Sequence, residues 1–237
     1  MILANYYTAT GDKVAFSRHQ ASQFAKEIAN DFNPLHNIDA KMFCVPGDLL
    51  FAVALDRFGL SQKMCFHFAG MVTDSELNFP EADEEKIDIT DDEGKKYLAI
   101  QRQGPTTHDD QLISNLTQSY VSFSGRTFPH LLVPLMAEQN VMINPGRPLV
   151  MYESMEISLD HLDIHQPILE STGSSLEVQG KKAMAELRFH IMEDGREVGH
   201  GAKHMALRGL RAYHDGEMQR VVENYNHFKQ AFMNPAS

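Results

Sequence analysis

The chain has 237 residues, 43% hydrophobic and 22% charged, a composition that allows one large or two small globular domains with a substantial core. Its formal net charge of −11 argues against a nucleic-acid partner, because proteins that bind a phosphate backbone carry clustered positive charge. The sequence shows no signal peptide and no membrane-spanning run, and Cys44 and Cys65 match no metal or disulfide pattern. We therefore expect a reduced, cytoplasmic protein without membrane attachment.

The first predicted helix covers about residues 17–29. Ser17 and Gln20 have the spacing of a capping box, in which each side chain bonds the backbone N–H of the other residue. Apolar residues follow at helical spacing and form one stripe, which consists of Ala21, Phe24, Ala25 and Ile28.

A second helix is predicted over residues 46–59. Residues 49–55 are apolar on every side, which is typical of a helix that is buried all round. Pro46 and Gly47 suit the start of this helix, and Gly59 suits a left-handed cap at its end.

Most of the remaining chain alternates between apolar and polar residues and predicts β-strands. In the first half the predicted strands cover residues 64–79, 97–100 and 118–123, with a turn at Glu93-Gly94 and a loop over 104–110. In the second half an apolar helix at 127–137 precedes strands at 155–160, 175–178, 183–191 and 197–207, with a hairpin turn at Asp194-Gly195. The last predicted element is an amphipathic helix within 215–232, whose apolar stripe consists of Met218, Val221, Val222, Tyr225 and Phe228.

The order of these elements repeats along the chain. Each half contains a helix, strands, a Gly-Lys-Lys turn and further strands, and the two turns are at residues 94–96 and 180–182. This pattern predicts an α+β protein with an N-terminal half at 1–126, a C-terminal half at 127–211 and a helical tail at 212–237.

The segment from Asn30 to Ile38 carries the candidate chemistry. Asp31, Asn33 and His36 surround Pro34, which fixes its own φ and keeps the preceding residue out of the helical region. A short, stiff loop of this kind can present a carboxylate and an imidazole as an acid/base pair. An ordinary Asn-Pro turn with a capping aspartate explains the same residues.

Asp31-Phe-Asn-Pro-Leu-His36 resembles the signature loop of the (R)-specific enoyl-CoA hydratases, the MaoC-like branch of the hotdog superfamily. The resemblance implies a double hotdog, in which two antiparallel curved sheets each wrap a central apolar helix, here followed by the C-terminal helix. It is also compatible with an uncharacterised bacterial family of that fold. Because the second half lacks the motif, the double hotdog would have one site per chain.

The resemblance also implies roles for particular residues. Asp31 and His36 would share the catalytic water, Asn33 would orient the loop, and a backbone N–H of Gly47 or Asp48 would polarise the thioester carbonyl. The start of a helix is a ready anion site, and glycine allows a ligand to approach the backbone. The implied substrate is an acyl-CoA, so coenzyme A arrives with the substrate and no other cofactor is expected.

The sequence departs from the family pattern at the start of the central helix. The family commonly has His-Gly there, whereas this chain has Pro46-Gly47, and proline removes one backbone N–H. Asp48 adds a negative charge beside the expected oxyanion. Asn30 precedes the motif at a position where the family commonly has glycine or another small or polar residue, so this difference is tolerable.

Two other functions remain open from the sequence. A thioesterase of the same fold would use a carboxylate on or near the central helix, for which Asp48 and Asp56 are candidates. A non-catalytic protein could bind acyl-CoA or a protein partner as a regulator. Basic residues near turns are candidates for contact with the coenzyme phosphates, namely Lys95, Lys96, Arg102, Lys181 and Lys182.

No metal site is predicted. The pairs His161/His165 and His200/His204 lack further ligands, and the Asp88–Asp92 segment lacks the glycine and glutamate of a calcium loop. Ser122-Phe-Ser-Gly125 lacks the frame of a nucleophile elbow. The expected assembly is a monomer with an internal pseudo-dimer, or a homodimer through the C-terminal helix.

Overall fold

The computed structural model describes residues 3–73, 75–81 and 84–234. Its α-helices are α1 (Arg18–Glu27), α2 (Gly47–Phe58), α3 (Asp110–Gly125), α4 (Thr127–His130), α5 (Leu132–Glu138) and α6 (Asp215–Met233). Its strands are β1 (Thr8–Thr10), β2 (Lys13–Ala15), β3 (Leu60–Phe68), β4 (Leu77–Asn78), β5 (Lys86–Thr90), β6 (Lys96–Thr107), β7 (Val141–Met142), β8 (Leu149–Leu159), β9 (Ile168–Gln179), β10 (Lys182–Glu193), β11 (Arg196–Arg208) and β12 (Arg211–Ala212). The α+β class is therefore confirmed.

Ten strands form one antiparallel sheet in the order β1-β2-β4-β5-β6-β3-β8-β11-β10-β9. The pairing of β3 with β8 joins the strands of the two halves, and Phe66 lies opposite Met155 in its register. β7 and β12 form a separate pair. Side chains alternate across the sheet, so that one face of each long strand packs on the helices.

The two central helices share one hydrophobic core. α2 is buried on nearly every side, as predicted, and Gly59 with φ of 77° caps its end. The rings of Phe51 on α2 and Tyr120 on α3 lie 4.8 Å apart between centroids, and Tyr120 also packs against Phe189 of β10. The two helices therefore pack on each other and on the sheet within a single core.

The predicted strand at 118–123 is wrong, because these residues belong to helix α3. Asp109 caps the start of this helix by accepting a hydrogen bond from the N–H of Leu112. The segment contains tyrosine, valine and phenylalanine, which favour strands locally. Over a longer window its buried residues follow helical spacing, and tertiary packing on α2 selects the helix. These buried residues include Leu112, Leu116, Tyr120 and Val121.

Two further boundaries differ from the predictions. Residues 104–107, predicted as loop, continue strand β6, and the predicted strand at 64–79 is interrupted between β3 and β4. The predicted helix at 127–137 is divided into α4 and α5, with a kink at Phe128, whose φ and ψ are −111° and 131°. The kink fits the extended conformation that a residue before proline prefers. Pro134 lies in the first turn of α5 and does not interrupt it.

The capping box of α1 is confirmed in both directions, between Ser17 and Gln20. α6 covers the range predicted for it and one residue more, with Met218 and Tyr225 buried against the body of the protein. The division of the chain at residues 126 and 211 stays a prediction.

Candidate active site

The loop that follows α1 is held by its own polar groups. Asn30 adopts a positive φ of 51°, a conformation that asparagine tolerates, and the Asp31 N–H bonds the carbonyl of Ala25 at 2.8 Å. Oδ1 of Asp31 accepts the N–H of Asn33 at 2.9 Å, and Oδ1 of Asn33 accepts the N–H of Leu35 at 3.1 Å. These bonds start the short 3₁₀ turn Pro34–His36 and fix the positions of Asp31 before it and of His36 at its end.

His36 and Asp31 face each other at the end of this turn. Nε2 of His36 lies 3.6 Å from Oδ2 of Asp31, and its Nδ1 lies 2.8 Å from the carbonyl oxygen of Cys44. Because a carbonyl oxygen only accepts, Nδ1 carries the proton and Nε2 is the nitrogen directed at the carboxylate. Burial favours neutral His36, but the contacts with Cys44 and the charge of Asp31 outweigh it and raise the pKa of His36 to about 9.

The start of α2 is covered by an aromatic ring. A Cβ on Gly47 would lie 2.5 Å from Cδ1 of Tyr152, so glycine is required here by the tyrosine. A shift in the register of β8 and β11 at His204/Met205 leaves Glu153 without a partner. Such a bulge re-aims the neighbouring side chains, which places Tyr152 on the inner face beside Phe68.

Asp48 belongs to a buried polar cluster that the sequence did not reveal. Its Oδ2 accepts a hydrogen bond of 2.6 Å from Ser124 Oγ, and Ser124 accepts one from Nζ of Lys203. Nζ lies 3.8 Å from Oδ1 of Asp48 and 4.1 Å above the ring of Tyr152. Within the described residues, this Oδ1 is buried and has no hydrogen-bond partner. Burial raises the pKa of Asp48, and Lys203 and Ser124 oppose that shift.

One signal for this cluster is present in the sequence of β11. Leu187 and Ala185 of β10, which face the core, pair with Lys203 and Met205. A lysine at an inward position of an apolar strand is a buried charge that needs a partner. Ser124 lies in Ser122-Phe-Ser-Gly125, which lacks the frame of a nucleophile elbow, so the sequence alone assigns it no role.

The structure brings the five predicted site residues to one cavity of about 410 Å³. These residues are Asp31, Asn33, His36, Gly47 and Asp48, and Tyr152, Lys203 and Arg208 also line it. A second cavity, of about 240 Å³, shares Asp31, Asn33 and Lys203 with the first. Val150 and Met205 are also common to both linings, so the two cavities adjoin along polar and apolar residues.

Other residues named from the sequence lie outside these cavities. Asp56 is exposed and accepts a hydrogen bond from Tyr7, and Lys96 pairs with Asp88 at 2.6 Å. Arg102 is buried and donates to the carbonyls of Glu84 and Phe58. None of the five basic residues proposed to contact the coenzyme phosphates is among the described residues that line the two cavities.

In the part of the chain that the structure describes, no helix is both long and apolar enough to cross a membrane. Within residues 3–73, 75–81 and 84–234, no group of three or more His, Cys, Asp or Glu side chains could hold a metal ion.

The chain is similar in structure to several solved proteins at low sequence identity. A TesB protein of Mycobacterium avium subsp. paratuberculosis is 10% identical, with a TM-score of 0.49, over 86% of this chain and 97% of that one. A MaoC-like dehydratase is 10% identical, with a TM-score of 0.45, over 87% and 99%. The acyl-CoA thioesterase II TesB2 of Mycobacterium marinum is 8% identical, with a TM-score of 0.43, over 87% and 98%.

Sequence comparison gives one match. No curated protein has a sequence that matches this chain. The sequence model of one family matches residues 1–216, which is most of the chain. The chain therefore belongs to the family described as "Protein of unknown function (DUF3581)".

Proposed function

We propose that this protein has the double-hotdog fold and hydrates a trans-2-enoyl-CoA thioester with Asp31 and His36. The observation that carries the proposal is the facing pair itself, with 3.6 Å between Nε2 and Oδ2 and the other imidazole nitrogen held by Cys44. The support for this fold is the core shared by α2 and α3 and the large antiparallel sheet, in which the pairing of β3 with β8 joins the two sheets expected from the sequence into one. The cytoplasmic location and the oligomeric state stay predictions.

The pair can add water without a net change in its own charge. The pKa of about 9 keeps His36 protonated at neutral pH, opposite the Asp31 carboxylate. Asp31 takes a proton from water as the hydroxyl adds to C3, and Nε2 of His36 delivers its proton to C2. Transfer of the proton from Asp31 back to His36 restores both groups, so the substrate gains one hydrogen and one hydroxyl.

The negative charge that develops on the thioester oxygen needs a hydrogen-bond donor or a cation close to it. Pro46 has no N–H, and Tyr152 covers the open face of Gly47, so a backbone donor is less available than in the family pattern. Lys203 lines both cavities beside Asp31 and supplies a buried cation that the enolate oxygen can approach. In this proposal Lys203 stabilises the oxyanion, and Asp48 and Ser124 hold it in place.

Hydrolysis of the thioester is the second candidate, and Asp48 favours it. Its Oδ1 is buried without a hydrogen-bond partner among the described residues, and burial raises the pKa of this carboxyl group above its ordinary value, which makes its carboxylate a stronger base. In that mechanism Asp48 would take the proton of a water that attacks the thioester carbonyl, and the thiol of coenzyme A would leave.

Two readouts on the same samples separate the candidates. Wild type, Asp31→Asn and Asp48→Asn are incubated with trans-2-octenoyl-CoA, and loss of the enoyl absorbance and release of free thiol are followed together. Hydration predicts loss of the enoyl absorbance without release of thiol, at a rate that Asp31→Asn lowers on the order of a hundredfold or more. Thiol release that depends on Asp48 and not on Asp31 would replace the hydratase proposal with hydrolysis. If the protein binds acyl-CoA but shows neither enoyl loss nor thiol release, it is a binding protein and not an enzyme of either kind.

A further inference from the structure

The smaller cavity of about 240 Å³ lies beside the charged groups and beneath the C-terminal helix α6. We propose that it holds the acyl chain of the substrate, and that α6 forms its roof and selects for chain length. This inference rests on the proposed binding of an acyl thioester. It adds the class of substrate, a thioester with an acyl chain longer than crotonyl, and the element that recognises it.

The walls of this cavity are mainly aliphatic and aromatic. They come from the two short helices after α3, from β8 and the segment before it, and from α6. Representative wall residues are Phe128, Leu132, Ile143, Val150, Val221 and Phe228. A surface of this kind stabilises a hydrocarbon chain by removing it from water, and it offers little to a phosphate or a sugar.

Three polar residues lie where the smaller cavity adjoins the larger one. Asp31, Asn33 and Lys203 line both spaces. A thioester carbonyl next to Lys203 therefore has an apolar space on one side and a more polar space on the other. This order fits an amphiphile with a polar head and an apolar tail, and an acyl-CoA has that form.

α6 is attached directly to the catalytic loop. The hydroxyl of Tyr225 accepts the N–H of Phe32 and donates to the carbonyl of Asn30, both at 3.3 Å. The ring of Tyr225 packs edge-on against Phe32 and Phe128, with centroids 6.0 and 5.2 Å away. The roof of the cavity is therefore held at the residue before Asp31 and the residue after it.

The outer end of the roof is open. Phe228, one turn beyond Tyr225, is 46% exposed although it lines the cavity. A phenylalanine that is half in water gains burial when a chain of sufficient length reaches it. Short chains end before this position, so the contact contributes only to the binding of long chains.

Binding of two S-alkyl thioethers of coenzyme A tests the inference, because these compounds can be neither hydrated nor hydrolysed. The dissociation constants of S-dodecyl-CoA and S-butyl-CoA are measured by calorimetry on the full chain. We expect wild type to bind the dodecyl compound at least tenfold more tightly. Val221→Trp fills the cavity and should bring this ratio close to one, and Phe228→Ala should lower it severalfold. Asn226→Phe, on the exposed side of α6, is the matched control and should leave the ratio unchanged.

The outcomes distinguish this inference from the proposed reaction. A dodecyl preference that Val221→Trp removes, in protein without hydratase or thioesterase activity, supports the acyl pocket and refutes the catalytic proposal. Hydration of enoyl-CoA by a wild type with equal affinity for both thioethers overturns the pocket alone. A preference that survives both α6 substitutions, in variants with wild-type circular dichroism, also overturns it. If Val221→Trp does not fold, the ratio for Phe228→Ala decides.

Discussion

The hydroxyl of Ser124 donates a 2.6 Å hydrogen bond to Oδ2 of Asp48, which ties the end of α3 to the first turn of α2. Ser124 also accepts a hydrogen bond from Lys203, so one hydroxyl bridges a buried carboxylate and a buried ammonium group. The two central helices and β11 therefore meet at the charged floor of the candidate site.

Removal of that hydroxyl should destabilise the protein. Ser124→Ala leaves two buried charges with one partner fewer each, at a cost of about 2 kcal/mol in the free energy of unfolding. Urea denaturation monitored by circular dichroism measures the change. Ser122→Ala, on a less buried side of the same helix, should change the free energy by less than about 0.5 kcal/mol.

Loss of the lysine should be more costly than loss of the serine. Lys203→Met leaves Asp48 as an unpaired buried charge, which typically destabilises by about 3–5 kcal/mol. Because neutral Asp48 is then strongly favoured in the folded state, the deficit should shrink as pH falls and the carboxyl group is protonated. The double variant Lys203→Met/Asp48→Leu should recover much of the loss, and strict additivity of the two changes in urea denaturation would refute the pairing.

The stability of the protein should depend on the ionisation of His36. Its pKa is about 9 in the folded protein and 6.5 in a model peptide, so the stabilisation is complete below pH 6.5 and is lost as pH rises through 9. The shift corresponds to a loss on the order of 3 kcal/mol across that window. His36→Gln should show a flatter profile of unfolding free energy between pH 6 and 10, and equal slopes for both proteins would contradict the assignment.

The contact between α3 and the residues before the Asp31–His36 loop should tolerate no side chain at Gly125. A Cβ there would lie 1.5 Å from the carbonyl oxygen of Ala29, a backbone atom that cannot rotate away. We expect Gly125→Ala to lower the free energy of unfolding by more than about 3 kcal/mol. Gly146→Ala, where the nearest contact is 3.5 Å, is the control and should have little effect on urea denaturation.

Features set by nearby residues were predictable from the sequence. The capping box at Ser17, the fully apolar α2 and the turn around Pro34 each depend on a few neighbours with defined geometry, and all three are present. The large antiparallel sheet also followed from alternating segments and from the hairpin signals between them. The motif from Asp31 to His36 marked the loop whose side chains line the larger cavity.

Features set by distant contacts were not predictable in the same way. Residues 118–123 favour a strand locally, and only their packing on α2 over the full length of α3 makes them helical. No local pattern joins the buried polar cluster, because more than seventy residues separate Asp48 from Ser124 and Ser124 from Lys203. The bulge that turns Tyr152 toward Gly47 depends on the register of two strands.

The rate of hydration of trans-2-octenoyl-CoA between pH 6 and 10 tests the central claim most directly. For wild type we expect kcat/KM to fall as pH rises through about 9, because His36 then loses the proton that it delivers to the substrate. Asp31→Asn and His36→Gln should each lower the rate on the order of a hundredfold or more. Rates in both variants equal to that of wild type, or no hydration by wild type at any pH, would contradict the assignment of Asp31 and His36 as the acid/base pair.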